Sequence, residues 1–402
     1  MLSLQRVNEE RPMDTSLIAF MNVQLELTTS SFHRYMYDQV SWDARMFGLV
    51  GPRGVGKTTM VLQYIKENSK NRKMLYVSAD HVYFSTHTLI ALADEFAKEA
   101  GEQLFIDEIH KYDNWSRELK QIYDAHPDLR VVFTGSSVLD IYKGVADLSR
   151  RAPMFLMQGL SFREYLALFH GESVPVYTLN EILAQQATIP GVMHPLPLFH
   201  DYLRSGYYPF ASDINFDIEL RQVVNQTMEV DIPQYANMNA STGRKLKKLL
   251  AVIAQSVPFK PVMDTIANVL SVSRNVLPDY FLYMELAGMI GQLRDDTGGI
   301  RGVGKVEKVY LDNTNLAYLL GGNATDIGNL RETFFYNQMR VTKDVISSRF
   351  SDFEIEGSTF EVGGRKKSKK QIADASKGYV VRDDIEFGSG NVIPLWAFGL
   401  TY

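Results

Sequence analysis

The sequence lacks cysteine, has no pair of histidines four residues apart, and has no long apolar run free of charge. The absence of cysteine excludes disulfide bonds and thiolate chemistry. The 8 histidines are scattered, which argues against a histidine-based metal site. Because neither a run of membrane-spanning length nor a charged-then-apolar leader occurs, we expect a cytoplasmic protein without a membrane segment.

Charge is nearly balanced, with 42 Lys and Arg against 47 Asp and Glu, a formal net charge of -5. This balance argues against general coating of nucleic acid. Two basic clusters, at 244–248 and 365–370, leave a local nucleic-acid contact open, and solvated surface charge is the alternative. The length of 402 residues exceeds one ordinary core and predicts several domains.

The strongest motif is a complete glycine-rich phosphate-binding loop. Its residues are Gly51, Pro52, Arg53, Gly54, Val55, Gly56, Lys57 and Thr58, followed directly by Thr59. Small residues let backbone N–H groups surround phosphates, Lys57 adds positive charge, and the Thr58 hydroxyl is placed to ligate Mg²⁺. An apolar strand at 46–50 precedes the loop and helical apolar spacing follows it, which is the order that the motif requires.

A second motif lies at 104–108, where an apolar strand ends in Asp107 and Glu108. This is the pattern of a Walker B segment, in which Asp107 would hold Mg²⁺ and Glu108 would polarise the attacking water. Exposed acids at a strand end are the alternative. The phosphate-binding loop earlier in the chain favours the functional interpretation.

Further apolar strands at 73–80, 129–134 and 154–157 alternate with helical patterns, which predicts a parallel sheet with ligands beyond the carboxyl ends of its strands. Ser136 follows the strand that we expect beside the acidic one. Its hydroxyl is therefore a candidate contact to the γ-phosphate or the attacking water, with a polar turn as the alternative.

Four segments, 51–58, 104–110, 134–137 and 160–166, together make the chain resemble prokaryotic AAA+-type P-loop ATPases that carry a C-terminal winged helix and a restriction-nuclease-like domain. The resemblance implies ATP and Mg²⁺ as cofactors. It also implies an arginine just before the fifth strand, where both Arg150 and Arg151 stand. Either is a candidate arginine finger, and a finger acting in trans would require a homo-oligomer.

The predicted domains are an ATPase core with an N-terminal helical segment at 1–159, a helical lid or linker at 160–240, a winged helix at 241–322 and a nuclease-like domain at 323–402. Helix, turn, helix and hairpin patterns indicate the winged helix. Its candidate recognition segment, 271–287, has one basic residue, Arg274, so we expect a structural or protein-contacting module. Pro278 requires the second helix to begin near Asn275 or to bend.

The C-terminal pattern resembles a PD-(D/E)xK nuclease core, in which Glu332, Asp352 and Glu361 fill the acidic places. Gly363 stands where the lysine of Glu-x-Lys is expected, although Lys366 or Lys367 follows closely. We therefore expect this domain to be inactive as a nuclease. The apolar run 394–400 is predicted to be a last buried strand.

The leading hypothesis is an α/β P-loop enzyme that hydrolyses ATP with Mg²⁺ and moves its C-terminal domains. The alternatives are an ATP-regulated DNA nuclease of defence or mobile-element type and a nucleotide-switched protein-interaction module. Sequence leaves open whether the partner is DNA or a protein.

Overall fold

The computed structural model describes residues 14–135, 148, 150–236, 238–255, 258–296, 304–322, 326–365, 367, 372 and 375–402. They form two compact units. The first contains the described residues of Met1–Val50, Lys57–Ser136 and Asp140–Leu156; the second contains Gly51–Gly56 and the described residues of Met157–Tyr402. None of the described helices has the length and apolar character needed to cross a membrane.

A parallel five-stranded sheet forms the centre of the first unit. Its strands are β1 (Met46–Val50), β2 (Met74–Ser78), β3 (Gln103–Asp107), β4 (Arg130–Gly135) and β5 (Met154–Leu156). Their order across the sheet is β2-β3-β4-β1-β5, and every pairing is parallel. All residues of β1, β2 and β3 are buried, as expected for a sheet covered on both faces. The predicted α/β sheet is confirmed.

Helices accompany this sheet. They are α1 (Thr15–Leu27), α2 (Lys57–Asn68), α3 (Leu89–Lys98) and α4 (Trp115–Ala125), with 3₁₀ turns at Tyr35–Asp38, Val82–Ser85 and Ile109–Lys111. Thr88 caps α3 by accepting the Ala91 N–H. Leu92 and Phe96 on α3, and Leu119 and Ile122 on α4, are fully or almost fully buried in the core of this unit.

The second unit begins with a run of helices. They are α5 (Phe162–His170), α6 (Leu179–Leu183), α7 (Leu196–Ser205), α8 (Phe216–Gln226), a π-helical segment (Thr227–Asp231) and α9 (Ile232–Tyr235). Ser161 and Glu164 form a capping box at the start of α5, which satisfies two otherwise unpaired backbone N–H groups. Residues 160–240 are therefore mainly helical among those that the structure describes.

Three helices and a hairpin follow. They are α10 (Ala240–Ala254), α11 (Met263–Leu270), α12 (Leu277–Leu286), β6 (Ile290–Arg294) and β7 (Val306–Leu311). A 3₁₀ turn at Arg274–Val276 precedes α12, which places Pro278 in the first turn of that helix, where proline is tolerated. The prediction that a helix begins near Asn275 is confirmed. Phe259 adds one bridge to Val309 beside the hairpin.

The C-terminal part contains helices α13 (Thr314–Gly321) and α14 (Ile327–Thr342) and a mixed sheet. Its strands are β8 (Ile346–Ser347), β9 (Phe353–Ile355), β10 (Ser358–Gly363), β11 (Gly378–Arg382) and β12 (Val392–Pro394), in the order β12-β11-β10-β9-β8. The β10–β11 and β11–β12 pairs are parallel, and the others are antiparallel.

The prediction of a strand at 394–400 was wrong. After Pro394 the chain forms a 3₁₀ helix, Leu395–Leu400, all six residues of which are buried. A continuous apolar run is compatible with any element that is buried on all sides, because it carries no periodicity that separates strand from helix.

Candidate functional site

The phosphate-binding loop follows β1, and its last residues, Lys57 and Thr58, begin α2. Gly51 has φ 151° and Gly54 has φ 78°, which are conformations that residues with a Cβ rarely adopt. A Cβ on Gly51 would lie 2.1 Å from the Met157 carbonyl oxygen, and one on Gly54 would lie 2.7 Å from the Phe210 ring. Conformation and space both explain why glycine occupies these positions.

Arg53 forms a bidentate ion pair within the second unit. Its Nε donates to Asp231 Oδ2 over 2.6 Å, and its Nη2 donates to Oδ1 over 3.1 Å. Asp231 ends the π-helical segment and is buried, and the Gln226 side-chain amide donates to it as well. Arg53 therefore anchors the loop to the π-helical segment through a buried carboxylate.

Asp107 lies at the end of β3 and is 4% exposed. Its Oδ2 accepts the Thr58 hydroxyl over 2.9 Å and the Tyr76 hydroxyl over 2.8 Å, and its Oδ1 accepts the Thr134 hydroxyl. Thr134 lies near the end of β4, which neighbours β3, whereas Tyr76 reaches Asp107 from the middle of β2 and Thr58 from the start of α2. We call Asp107 and its three donors, Thr58, Tyr76 and Thr134, the carboxylate cradle.

The cradle has the donor set for Mg²⁺. Thr58 uses its hydroxyl hydrogen toward Asp107, which leaves the oxygen lone pairs available to a cation. Hydroxyl and carboxylate oxygens are the ligands that this hard cation prefers. Burial, and next the charge of Asp107, raise the pKa of the Tyr76 phenol, so its hydroxyl stays protonated and continues to donate. The residues therefore fit a Thr58-held cation with Asp107 beside it.

Glu108 has a left-handed backbone conformation, with φ 51°. Such a conformation costs a non-glycine residue about 1–3 kcal/mol and persists where the surroundings impose it. Here the Glu108 N–H donates to the Thr134 hydroxyl over 3.2 Å, and the carboxylate lies 3.4 Å from His110 Nε2. The structure therefore turns Glu108 away from the strand direction and holds it beside the cradle.

Sequence reasoning missed Tyr76 and Thr134. Tyr76 stands in the strand predicted at 73–80 and Thr134 ends the strand predicted at 129–134, and neither pattern assigns the residue a role at the site. A polar residue that ends an apolar strand next to an acidic strand end was the available signal for Thr134. Ser136 itself lies outside the described residues.

The two candidate finger arginines differ in their surroundings. Arg151 donates to both carboxylate oxygens of Asp124, over 3.0 and 3.1 Å, and its guanidinium lies 5.8 Å from the centre of the Tyr123 ring. Arg150 is exposed. The choice between them stays a prediction.

The acids of the nuclease-like pattern are placed by different elements: Glu332 by α14, Asp352 just before β9, and Glu361 by β10. Lys308 contacts both Glu332 and Asp352, and Lys367 contacts Glu361. Among the residues described, the trio of acidic or histidine side chains whose ligand atoms all lie within 4.8 Å of one another is His200, Asp383 and Asp384. Glu332, Asp352 and Glu361 therefore do not bring their carboxylate oxygens that close to one another.

Two family models match parts of the chain. Residues 43–166 match a model described as an AAA domain, and residues 196–326 match a model described as a domain of unknown function. The first match contains the phosphate-binding loop, the carboxylate cradle and the whole parallel sheet. This part of the chain has the α/β fold of P-loop ATPases, and its resemblance to that class is confirmed.

The solved structures that match this chain are distant from it in sequence. A Walker-type ATPase of Pyrococcus abyssi is 12% identical with a TM-score of 0.47, over 74% of this chain and 99% of that one. The Aeropyrum pernix ORC1 protein in complex with DNA is 13% identical with a TM-score of 0.32, over 80% and 96%. AMPPCP-bound DnaA of Aquifex aeolicus is 10% identical with a TM-score of 0.27, over 62% and 84%. No curated protein matches the chain.

Proposed function

We propose that this chain binds and hydrolyses ATP with Mg²⁺ and passes its nucleotide state to the helices after the ATPase core. The observation that carries the proposal is the carboxylate cradle, in which Thr58 of the phosphate-binding loop donates to Asp107 of the acidic strand. A phosphate loop and a strand-end acid joined by this hydrogen bond are the parts that hold Mg²⁺ and phosphates in P-loop hydrolysis.

The roles follow from position. Bound Mg²⁺ would supply charge neutralisation of the phosphates. Lys57, which is 6% exposed at the start of α2, adds positive charge for the phosphates at that helix N-terminus. Thr58 and Asp107 hold the cation, and Glu108 accepts a proton from, or orients, the attacking water. Ser136 and one of the two arginines, Arg150 or Arg151, complete the proposed set.

The coupling is proposed from the loop contact outside the cradle. Arg53 stands between Pro52 and Gly54 of the loop and is tied to Asp231 at the end of the π-helical segment. A guanidinium forms charge-assisted, often bidentate hydrogen bonds with phosphate as well as with carboxylate. Nucleotide bound to the loop therefore competes with Asp231 for Arg53, which gives the following helices a contact that depends on the ligand.

A protein partner is favoured over DNA. The order α10, bridge, α11, α12 and hairpin supports a winged helix, yet Arg274 in its candidate recognition segment lies 3.2 Å from Asp264. In the basic cluster at 244–248, Lys247 pairs with Glu229 over 2.9 Å and Lys248 donates to the Val269 carbonyl. These basic groups are engaged by other groups of the same chain, which leaves less positive charge to bind the phosphates of DNA.

ATPase assays on protein of known oligomeric state test this function. We expect Lys57→Ala to lose tight nucleotide binding, and Glu108→Gln to bind ATP while losing turnover. Exposed Lys70→Ala and exposed Glu26→Gln are the matched controls and should behave as wild type. Wild-type turnover by Glu108→Gln would refute the water-activating role. Stimulation of the rate by DNA would favour a DNA partner instead of a protein.

A further inference from the structure

Lys308 lies between two carboxylates of the second unit. Its Nζ is 3.3 Å from Glu332 Oε2 and 3.1 Å from Asp352 Oδ1. Lys308 belongs to β7 of the hairpin, Glu332 belongs to α14, and Asp352 stands just before β9. Three separate elements therefore meet at this one ammonium group.

The contact is largely removed from water. The side chains of Lys308, Glu332 and Asp352 are 15%, 16% and 15% exposed. Tyr310 donates its hydroxyl to Glu332 Oε2 over 2.8 Å, and Asp352 Oδ2 accepts the Val362 N–H over 3.0 Å. Buried charges are tolerated when they are paired and hydrogen-bonded, and both carboxylates meet this condition through Lys308.

The third acid of the pattern is neutralised separately. Lys367 pairs with Glu361, whose side chain is 1% exposed. A Cβ on Gly363 would lie 2.5 Å from Lys367 Cδ, so the glycine provides the space through which Lys367 reaches Glu361. This explains physically why the position expected for the lysine of Glu-x-Lys holds a glycine. Because Lys367 pairs with Glu361, Lys308 neutralises Glu332 and Asp352.

Two carboxylates from different elements that converge on one cation are the usual arrangement around an oxygen-ligated divalent ion. We propose that the Lys308 ammonium takes the place of such an ion between Glu332 and Asp352, so that the native chain keeps this centre closed to metal and removal of the ammonium opens a divalent-cation site. Without Lys308, two buried carboxylates would face each other with no countercharge, and a hard divalent ion would restore neutrality.

The test uses Mn²⁺ as the probe on the full chain without nucleotide. Free Mn²⁺ is followed by its paramagnetic resonance signal, and the melting temperature is measured with and without Mn²⁺. The variants are Lys308→Met, the same variant with Asp352→Asn added, and Lys305→Met as the matched control. Lys305 precedes the same strand, is 76% exposed and pairs with Glu307.

We expect wild type and Lys305→Met to bind Mn²⁺ alike, and Lys308→Met to gain a site at least about tenfold tighter. Adding Asp352→Asn should abolish that gain. Folded Lys308→Met without a new site would overturn the proposal. The proposal would also be overturned if wild type bound Mn²⁺ as tightly as is expected of Lys308→Met and lost that site in Asp352→Asn. This second measurement needs no Lys308 variant. Lys308→Gln, which retains length without charge, replaces Lys308→Met if the latter does not fold.

Discussion

Replacement of Tyr76 by phenylalanine tests the carboxylate cradle most directly. The change removes one hydroxyl and leaves the ring, which stacks near Phe20 with 6.1 Å between the ring centres. The lost hydrogen bond, 2.8 Å long, joins a neutral donor to a buried carboxylate. Hydrogen bonds to charged groups contribute about 1.5–3 kcal/mol. Because Asp107 keeps Thr58 and Thr134, we expect the free energy of unfolding to fall by about 1.5 kcal/mol.

The loss has two readouts. In a core of this size, 1 kcal/mol shifts the melting temperature by about 2–4 °C, so calorimetry should show a decrease of about 3–6 °C. The ATPase rate should need more Mg²⁺ to reach half its maximum, because Asp107 is held less firmly beside the Thr58 oxygen. Nucleotide binding measured without Mg²⁺ should change little.

Tyr379→Phe is the matched control. This ring stacks on Phe360, and its hydroxyl makes no hydrogen bond within the part of the chain that the structure describes. The control should melt and hydrolyse ATP as wild type does. The reasoning about the cradle would be refuted if Tyr76→Phe matched this control in both stability and Mg²⁺ dependence.

Two further predictions concern the ion pairs of the second unit. Asp231→Asn keeps the size of the side chain but frees the loop guanidinium for phosphate, so ATP should bind about two- to tenfold more tightly in a fluorescent-nucleotide titration; unchanged affinity would count against the coupling contact. Burial, and next Asp352, raise the pKa of Glu332 above its ordinary value of 4.5, whereas Lys308 lowers it. A raised acid pKa gives stability that is present below pH 4.5 and is lost as pH rises through the pKa of the folded state. Lys308→Met removes the charge that lowers this pKa. Its free energy of unfolding in urea should therefore fall below that of wild type by more at pH 8 than at pH 5. An equal difference at both pH values would contradict this assignment.

Much of the first unit was predictable, because its strands are short apolar runs separated by helical spacing and glycine-rich turns. The five strands lie within a residue or two of the predicted ranges. The roles of Tyr76 and Thr134 were not predictable in the same way. A hydroxyl in an apolar strand looks like a core residue until the strand order shows that its neighbour ends in Asp107.

In the C-terminal part, the sequence indicated the acids but not their partners. Lys308 stands 24 residues before Glu332 and 44 before Asp352, and no local pattern connects the three. The sequence shows Lys367 as a basic residue close to Gly363, yet only the space at Gly363 explains how Lys367 reaches Glu361. The error at 394–400 has a similar origin, since a fully apolar run does not determine its own geometry.

The sequence by itself therefore determined the phosphate-binding loop, the acidic strand end and the alternation that builds a parallel sheet, because each depends on spacing within a few residues. Tertiary structure alone decided which groups surround each charge: three hydroxyls around Asp107, Asp231 on Arg53, and Lys308 between two acids. The reason is physical. A buried charge must find its partner in space, and the distance between partners along the chain is then unrestricted.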